Sequence, residues 1–341
     1  MSAPTIHAVL LNWRTAPMTL DALEALVLSL EATACPWTVS VVDNDSQDGS
    51  EEALRQAVAE RGDDRIEVLQ SGHNGGFGAG NNVGLRRGLE RGADFLYILN
   101  SDAFPQERAL RFLVDHLQAH PRVGIVGSSI YGTDGEPHCT AFRFPSIQSE
   151  LEGALRLGVV SKALEDYVVP MGIPERTQKV DWLAGASMMF RREVLEKVGL
   201  FDESFFLYFE ETDLCHRAAE AGFETVYVWE SEVAHVGSAS TGMKTWSRVP
   251  DYWFDSRSHY FAKNHGRAYL AAATSARLVG TAVWQLRRRL QSKAEEERVS
   301  RALRDKSKAF RARLESATRA AFSGGVAAAG RVLAVQLPTD C

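Results

Sequence analysis

Along the first 126 residues, short apolar runs alternate with stretches whose apolar positions recur every three or four residues. Residues 6–12 read as a strand, with Ala8-Val9-Leu10-Leu11 apolar throughout, as in a strand covered on both faces. Residues 20–30 have helical spacing. The pattern then predicts a strand at 39–43, a helix at 50–61 capped by Asp48 or Ser50, and a strand at 66–69. A helix at 81–92, a strand at 95–99, a helix at 105–120 and a strand at 123–126 follow. Strands alternating with helices predict βαβ units, and so an α/β fold with a mostly parallel central sheet flanked by helices. Ligands of such sheets sit beyond the carboxyl ends of the strands. Asn12, Asp43, His73-Asn74 and Asp102 fall at or just past those ends, so one surface collects them.

The pattern weakens from 127 to 179, where Gly, Pro and short apolar runs predict hairpins and an irregular loop. It resumes with an apolar stretch at 180–190, a helix at 193–198, a helix at 211–221 ended by Gly222, and a strand at 226–228. Residues 278–314 are rich in Ala, Arg, Lys, Glu and Leu and read as strongly helical. The tail from Ala320 is Ala/Gly-rich and reads as poorly ordered.

Composition narrows the function. The chain is 45% hydrophobic and 24% charged, ordinary for a globular protein, and its net charge of −6 argues against a nucleic-acid partner. Cys35, Cys139, Cys215 and Cys341 form no CxxC pair, which excludes a zinc ribbon or a dithiol site and fits reduced thiols in the cytoplasm. No basic stretch followed by an apolar one opens the chain, so no signal peptide is expected. The most membrane-like stretch, 268–286, is broken by Arg277 and runs into Arg287-Arg288-Arg289. It reads either as a basic-ended helix lying on a membrane surface or as a packing helix.

Four motifs carry candidate chemistry. In Val41-Val42-Asp43-Asn44-Asp45-Ser46 an acidic turn follows a strand, suited to a base imide or ribose hydroxyls, or to turn-forming alone. In His73-Asn74-Gly75-Gly76-Phe77-Gly78-Ala79-Gly80 four glycines lead into a helix, where backbone can approach an anionic ligand. It matches neither a dinucleotide fingerprint nor a P-loop. Asn100-Ser101-Asp102 ends a buried strand with one carboxylate, a minimal site for a hard divalent cation on a diphosphate. Glu210-Glu211-Thr212-Asp213 places three carboxylates in a helix's first turn, more than the macrodipole asks for. Glu210 and Asp213 lie on a similar face and Glu211 points elsewhere. The preceding Phe205-Phe206-Leu207-Tyr208-Phe209 supplies a low-dielectric wall that would raise a carboxyl's pKa towards that of a base. His235 follows the late strand and is a candidate to complete a metal's coordination.

Over residues 6–265 the chain resembles the family-2 inverting glycosyltransferases of GT-A fold, most of all the bacterial rhamnosyl- and galactofuranosyltransferase-like members. The strings VVDNDSQDGS, NGGFGAGNNVG, LNSDAF, VDWLAGASMMFRREVLEKVGLFDESFFLYFEETDLCHRA and AHVGSAST carry the resemblance. It implies a glycosyltransferase domain at 1–265, divided into a nucleotide-binding half (1–127) and an acceptor and catalytic half (128–265), with a helical extension at 266–341. It implies that Asn12, Asp43, Asn74 and Gly76 meet the nucleotide, and that Asn100 and Asp102 stand in the family's Asp-x-Asp with Asn in the first place. Trp182 and Gly185 would shape the sugar and acceptor pocket, with Asp213 alongside the substrate. Glu211 falls at the base position, where Asp is more usual, with Glu210 as its substitute. Asp102 and His235 would hold Mg²⁺ or Mn²⁺. The implied reaction moves a sugar from a nucleotide-diphosphate sugar, dTDP-rhamnose before a UDP-hexose, to a saccharide or lipid-linked acceptor in cell-surface polysaccharide assembly. The implied place is the cytoplasm, at the inner face of the plasma membrane through the C-terminal helices, with room for a homo-oligomer. The alternative is a nucleotide-sugar-binding module without transfer activity.

Overall fold

The computed structural model describes residues 3–237 and 249–292. The chain forms two compact units, Met1–Gly280 and Thr281–Cys341. Of the second, residues 281–292 are described and are helical. The expected continuation of that helix to 314, the tail from 320, and the end of the AHVGSAST string lie outside the described residues.

The first unit is built on a sheet ordered β3 (Ile66–Gln70), β2 (Trp37–Asp43), β1 (Ile6–Asn12), β4 (Phe95–Asn100), β10 (Ser187–Arg191), β6 (Val123–Tyr131), β11 (Glu224–His235), β5 (Ala103–Pro105), with β8 (Gln178–Val180) also paired to β11, while β7 (Ala141–Phe142) and β9 (Trp182–Leu183) form a two-stranded sheet. β1, β2, β3 and β4 are mutually parallel. β10 inserts antiparallel between β4 and β6. β11 runs parallel to β6 and antiparallel to β5 and β8. The mostly parallel sheet is the one the sequence predicts.

Side chains on a strand alternate between faces, and here each face has its own apolar layer. Ala8 and Leu10 of β1 and Tyr97 and Leu99 of β4 pack with α1 (Ala16–Glu31) and α4 (Ala109–Ala119). Val9, Leu96 and Ile98 pack on the other side with Leu85 of α3 (Phe77–Glu90), Leu195 of α7 (Arg192–Val198) and Leu214 of α8 (Glu210–Glu220).

α3 begins at Phe77, four residues earlier than the sequence reading placed it. The glycines taken for a loop are partly a packing stripe. A Cβ on Gly80, Gly84 or Gly88 would come within 2.6 Å of Leu11, Val9 or His7 respectively. These three strand residues share one face of β1, and the four-residue glycine spacing matches their two-residue spacing. The helix therefore lies directly on the strand, and its amino end is held beside the end of β1.

Three further elements depart from the expectation. Pro105 belongs to β5, so the helix after β4 starts at Ala109. The stretch read as irregular contains α5 (Ile147–Leu155), opened by a Ser146–Ser149 capping box. α9 (Asp251–His265), unanticipated, buries Tyr260 and Phe261 against Phe205 and Ala273. Its Arg257 is 3% exposed and makes a bidentate pair with Glu150 of α5 (2.8 and 3.0 Å), which Arg277 also reaches. This pair fixes the segment that packs behind α8.

Candidate active site

The ends of the parallel strands carry a closed polar network. Asn12 and Asp43 are register partners at the ends of β1 and β2. Asn12 donates through Nδ2 to Asp43 Oδ1 at 2.7 Å, and its Oδ1 accepts from Thr19 Oγ1 at 2.7 Å. Asp43 also accepts from Ser46 Oγ, Ser46 N and Gln70 Nε2 at 2.6, 3.1 and 3.0 Å. Four donors meet the roughly four lone-pair positions of a carboxylate, so Asp43, 1% exposed, organises the turn beyond β2. Gln70 is the half-buried member of the network. Thr15 extends the network from Asn12 to Ser101 Oγ at 2.9 Å, tying it to the turn after β4.

The glycine loop is tied in through Asn44. Its Nδ2 donates to Asn74 Oδ1 and to Gly76 O, and Asn74 Oδ1 also accepts from Gly76 N. Gly76 has φ +93° and lies so close to the aromatic loop that a Cβ would fall 1.7 Å from Phe206 O. The next N–H, of Phe77, donates to that same carbonyl at 3.1 Å. Glycine is required here both for the left-handed backbone and for the approach.

Beyond β4, Asn100 N–H donates to Ala186 O, and Asp102 Oδ1 lies 2.9 Å from His235 Nε2. β11 reaches this point because it runs twelve residues with a register shift between Val228 and Glu232, which sets His235 opposite Ala103. The sequence reading had this strand only at 226–228. Among the described residues no cluster of three or more His, Cys, Asp or Glu side chains forms a metal site. One carboxylate and one imidazole at the strand rim nevertheless fit a hard cation that takes its remaining ligands from substrate phosphates and water.

α8 presents the acidic cluster. Tyr208 (φ 70°) and Phe209 (φ 71°) both occupy the left-handed region immediately before it. Each such aromatic residue stores about 1–3 kcal/mol, strain of a kind that clusters at functional sites. Glu211 sits beside Gly185: its Oε1 is 3.9 Å from where a Gly185 Cβ would begin, and the Gly185 backbone hydrogen-bonds its carboxyl. Its Oε2 is enclosed and has no hydrogen-bond partner among the described residues. Burial pushes the Glu211 carboxyl up to about 7, against the pull of backbone hydrogen bonds from Glu211 and Gly185. Glu210 is 2% exposed, and burial first, then the neighbouring Glu211, hold its carboxyl well above the usual range.

The other expected residues fall nearby or aside. Trp182 stacks on Phe142 with ring centroids 4.2 Å apart and donates to Arg143 O, on the two-stranded sheet next to Gly185. Asp213, expected beside the substrate, is fully buried and engaged by Arg217 and Lys263 at 2.8 Å and by Asn264 at 2.9 Å. Those partners make it a packing group between α8 and α9. The backbone joins the two ends of the site: Asn100 bonds Ala186, and Ala186 follows Gly185, which bonds Glu211. Ser46, Thr15, Thr19 and Gln70 were not singled out from sequence. Ser46 lay within a quoted motif, but its two bonds to Asp43 depend on the turn's shape.

Comparison with known proteins identifies the family and the fold. The family described as glycosyltransferase-like family 2 matches residues 4–271. The N-acetylglucosaminyl-diphospho-decaprenol L-rhamnosyltransferase of Mycobacterium tuberculosis is 30% identical over 235 residues, covering 64% of this chain and 73% of that protein. The low-salt glycan biosynthesis hexosyltransferase Agl10 of Haloferax volcanii is 26% identical over 226 residues, 66% of each chain. Among solved structures, residues 1–349 of S. aureus TarS superpose with a TM-score of 0.53 at 13% identity, over 84% of this chain and 91% of that one, a likeness of fold. The family match over residues 4–271, with the likeness of fold, places the chain in glycosyltransferase family 2 with a GT-A fold: it is a glycosyltransferase.

Proposed function

We propose that the chain transfers a sugar, with inversion at the anomeric carbon, from a nucleotide-diphosphate sugar to a lipid-linked saccharide. dTDP-rhamnose is the favoured donor, and N-acetylglucosamine on a prenyl diphosphate is the favoured acceptor, the class named by the mycobacterial relative. The observation that carries the reading is Glu211: an enclosed carboxyl whose Oε2 has no hydrogen-bond partner among the described residues, its pKa raised by burial to about 7. A general base works best with a pKa near the operating pH.

The donor's base and ribose lie over Asn12, Asp43 and Gln70, with the backbone of Asn74 and Gly76 alongside. The amino end of α3 favours the diphosphate's negative charge. Glu211 takes the proton from the acceptor hydroxyl. The hydroxyl oxygen forms its bond to the anomeric carbon from the face opposite the nucleotide. The bond to the leaving nucleoside diphosphate breaks with its electron pair, so one displacement inverts the configuration. Mg²⁺ or Mn²⁺ held by Asp102 and His235 would offset charge on that diphosphate. Trp182 offers a flat apolar face for a sugar ring near Gly185.

No helix among the described residues is long and apolar enough to cross a membrane. Val283, Leu286 and Leu290 are exposed on the helix at 281–292, beside Arg287, Arg288 and Arg289. This combination suits docking on an anionic lipid surface. Changing the exposed Arg288 and Arg289 to Gln is expected to weaken binding to phosphatidylserine vesicles by about 1 kcal/mol per charge, and unchanged sedimentation with vesicles would contradict it.

The test of function is incubation of the full chain with labelled dTDP-rhamnose or UDP-hexoses and N-acetylglucosaminyl-diphospho-prenol, with Mn²⁺ or with EDTA. Label in the lipid fraction from one donor supports the reading. Nucleotide binding without transfer to this or any other acceptor would favour a binding module instead.

A further inference from the structure

Glu210 is buried under the first turn of α3, its Cβ 3.6 Å from where a side chain on Gly78 would begin. Its Oε2 has no hydrogen-bond partner among the described residues. Among the described residues, the cations of the neighbouring elements are committed elsewhere. On its own helix, Arg217 pairs with Asp213. From α9, Lys263 pairs with Asp213 and Asp202, and His259 with Asp202. From α3, Arg86 pairs with Glu203. Glu211, the adjacent titratable group, is itself acidic. An ionised carboxylate enclosed without a countercharge is costly, whereas the neutral acid is not.

We propose that Glu210 is a positioning residue that keeps its proton throughout turnover, leaving Glu211 as the member of the pair that exchanges a proton with the acceptor. This rests on the reading of Glu211 as base. A neutral Glu210 packs the first turn of α8 against α3 and puts no second negative charge beside Glu211. Were both ionised, mutual repulsion would lift Glu211 beyond the range where it can serve. The two adjacent carboxyls, alike in sequence, thus have different tasks.

Glu210 folds with its proton on and releases it in the unfolded chain near its ordinary value of 4.5. The stability this contributes is complete below that value and is lost as pH rises towards the folded-state pKa. Glu210→Gln cannot titrate. The full chain and this variant are to be unfolded in urea at pH 5, 6 and 7. The variant's folding constant relative to wild type is expected to rise by close to tenfold per pH unit, and a ratio independent of pH overturns the proposal.

Should the variant not fold, wild-type protein with ¹³C-labelled glutamate carboxyls gives a second measurement. One carboxyl is expected to stay protonated beyond the one that titrates near 7, and its absence overturns the proposal. Neither readout depends on turnover. A failure of Glu211 as base would instead appear as full transfer activity in Glu211→Gln.

Discussion

The two ends of this site are built on opposite principles. At the strand ends, Asn12, Thr19, Asp43, Ser46 and Gln70 meet one another's donors and acceptors in a network nearly sealed from solvent. At the start of α8, two carboxyls stand side by side, each with an oxygen unpartnered among the described residues, behind two aromatic residues in left-handed conformation. The first end spends its polar groups on rigidity, which suits holding a nucleotide of fixed shape. The second leaves acceptor capacity unmet and a proton affinity raised, which suits chemistry. A group with all its partners satisfied has little left with which to react, and one without partners is held only by the packing around it.

This contrast can be broken at several points. The largest effect is expected at Glu211. Glu211→Gln should cut transfer by about 10²- to 10⁴-fold while nucleotide affinity, measured by titration calorimetry, holds. Equal losses in both would remove the division between the ends. Next is Gly76→Ala, which forces a Cβ into the Phe206 carbonyl at a backbone angle that favours glycine. It should destabilise the fold at or beyond the upper end of the usual ~0.5–3 kcal/mol for one substitution, read by urea unfolding. Smaller is Asn12→Ala. It takes from Thr19 the shorter of its two hydrogen bonds, leaving the one to Thr15 O, and from Asp43 one of its donors, an expected cost of about 1–3 kcal/mol, with nucleotide binding weakened alongside. A neutral result there would mean that the network is decorative.

Sequence made one of these ends more legible than the other. The strands showed because each face of the sheet is covered, and unbroken apolar runs such as Ala8–Leu11 report that directly. Their polar ends followed, so Asn12, Asp43 and Asp102 could be placed on one surface. The start of the glycine stripe of α3, at Gly80, was read as loop because glycine signals turns locally, while Gly84 and Gly88 fell inside the helix expected at 81–92. Its match to His7, Val9 and Leu11 exists only once strand and helix are apposed. Asp213 looked equivalent to its acidic neighbours, and only α9 separates them: Lys263 and Asn264 arrive from fifty residues away and claim it. α9 itself is aromatic on more than one side, which blurs helical periodicity. The pairing of Asp102 with His235 depends on a register shift in β11 that no local pattern announces.

The measurement that bears most directly on the account is the pH dependence of kcat/KM for sugar transfer between pH 5 and 9. Glu211 must be ionised to accept the acceptor's proton. Burial lifts its carboxyl to about 7, so the rate should fall tenfold per unit as pH drops below about 7 and level off above it. A flat profile down to pH 5 would mean that no carboxyl so placed is the base, and would contradict the assignment of the chemistry to α8.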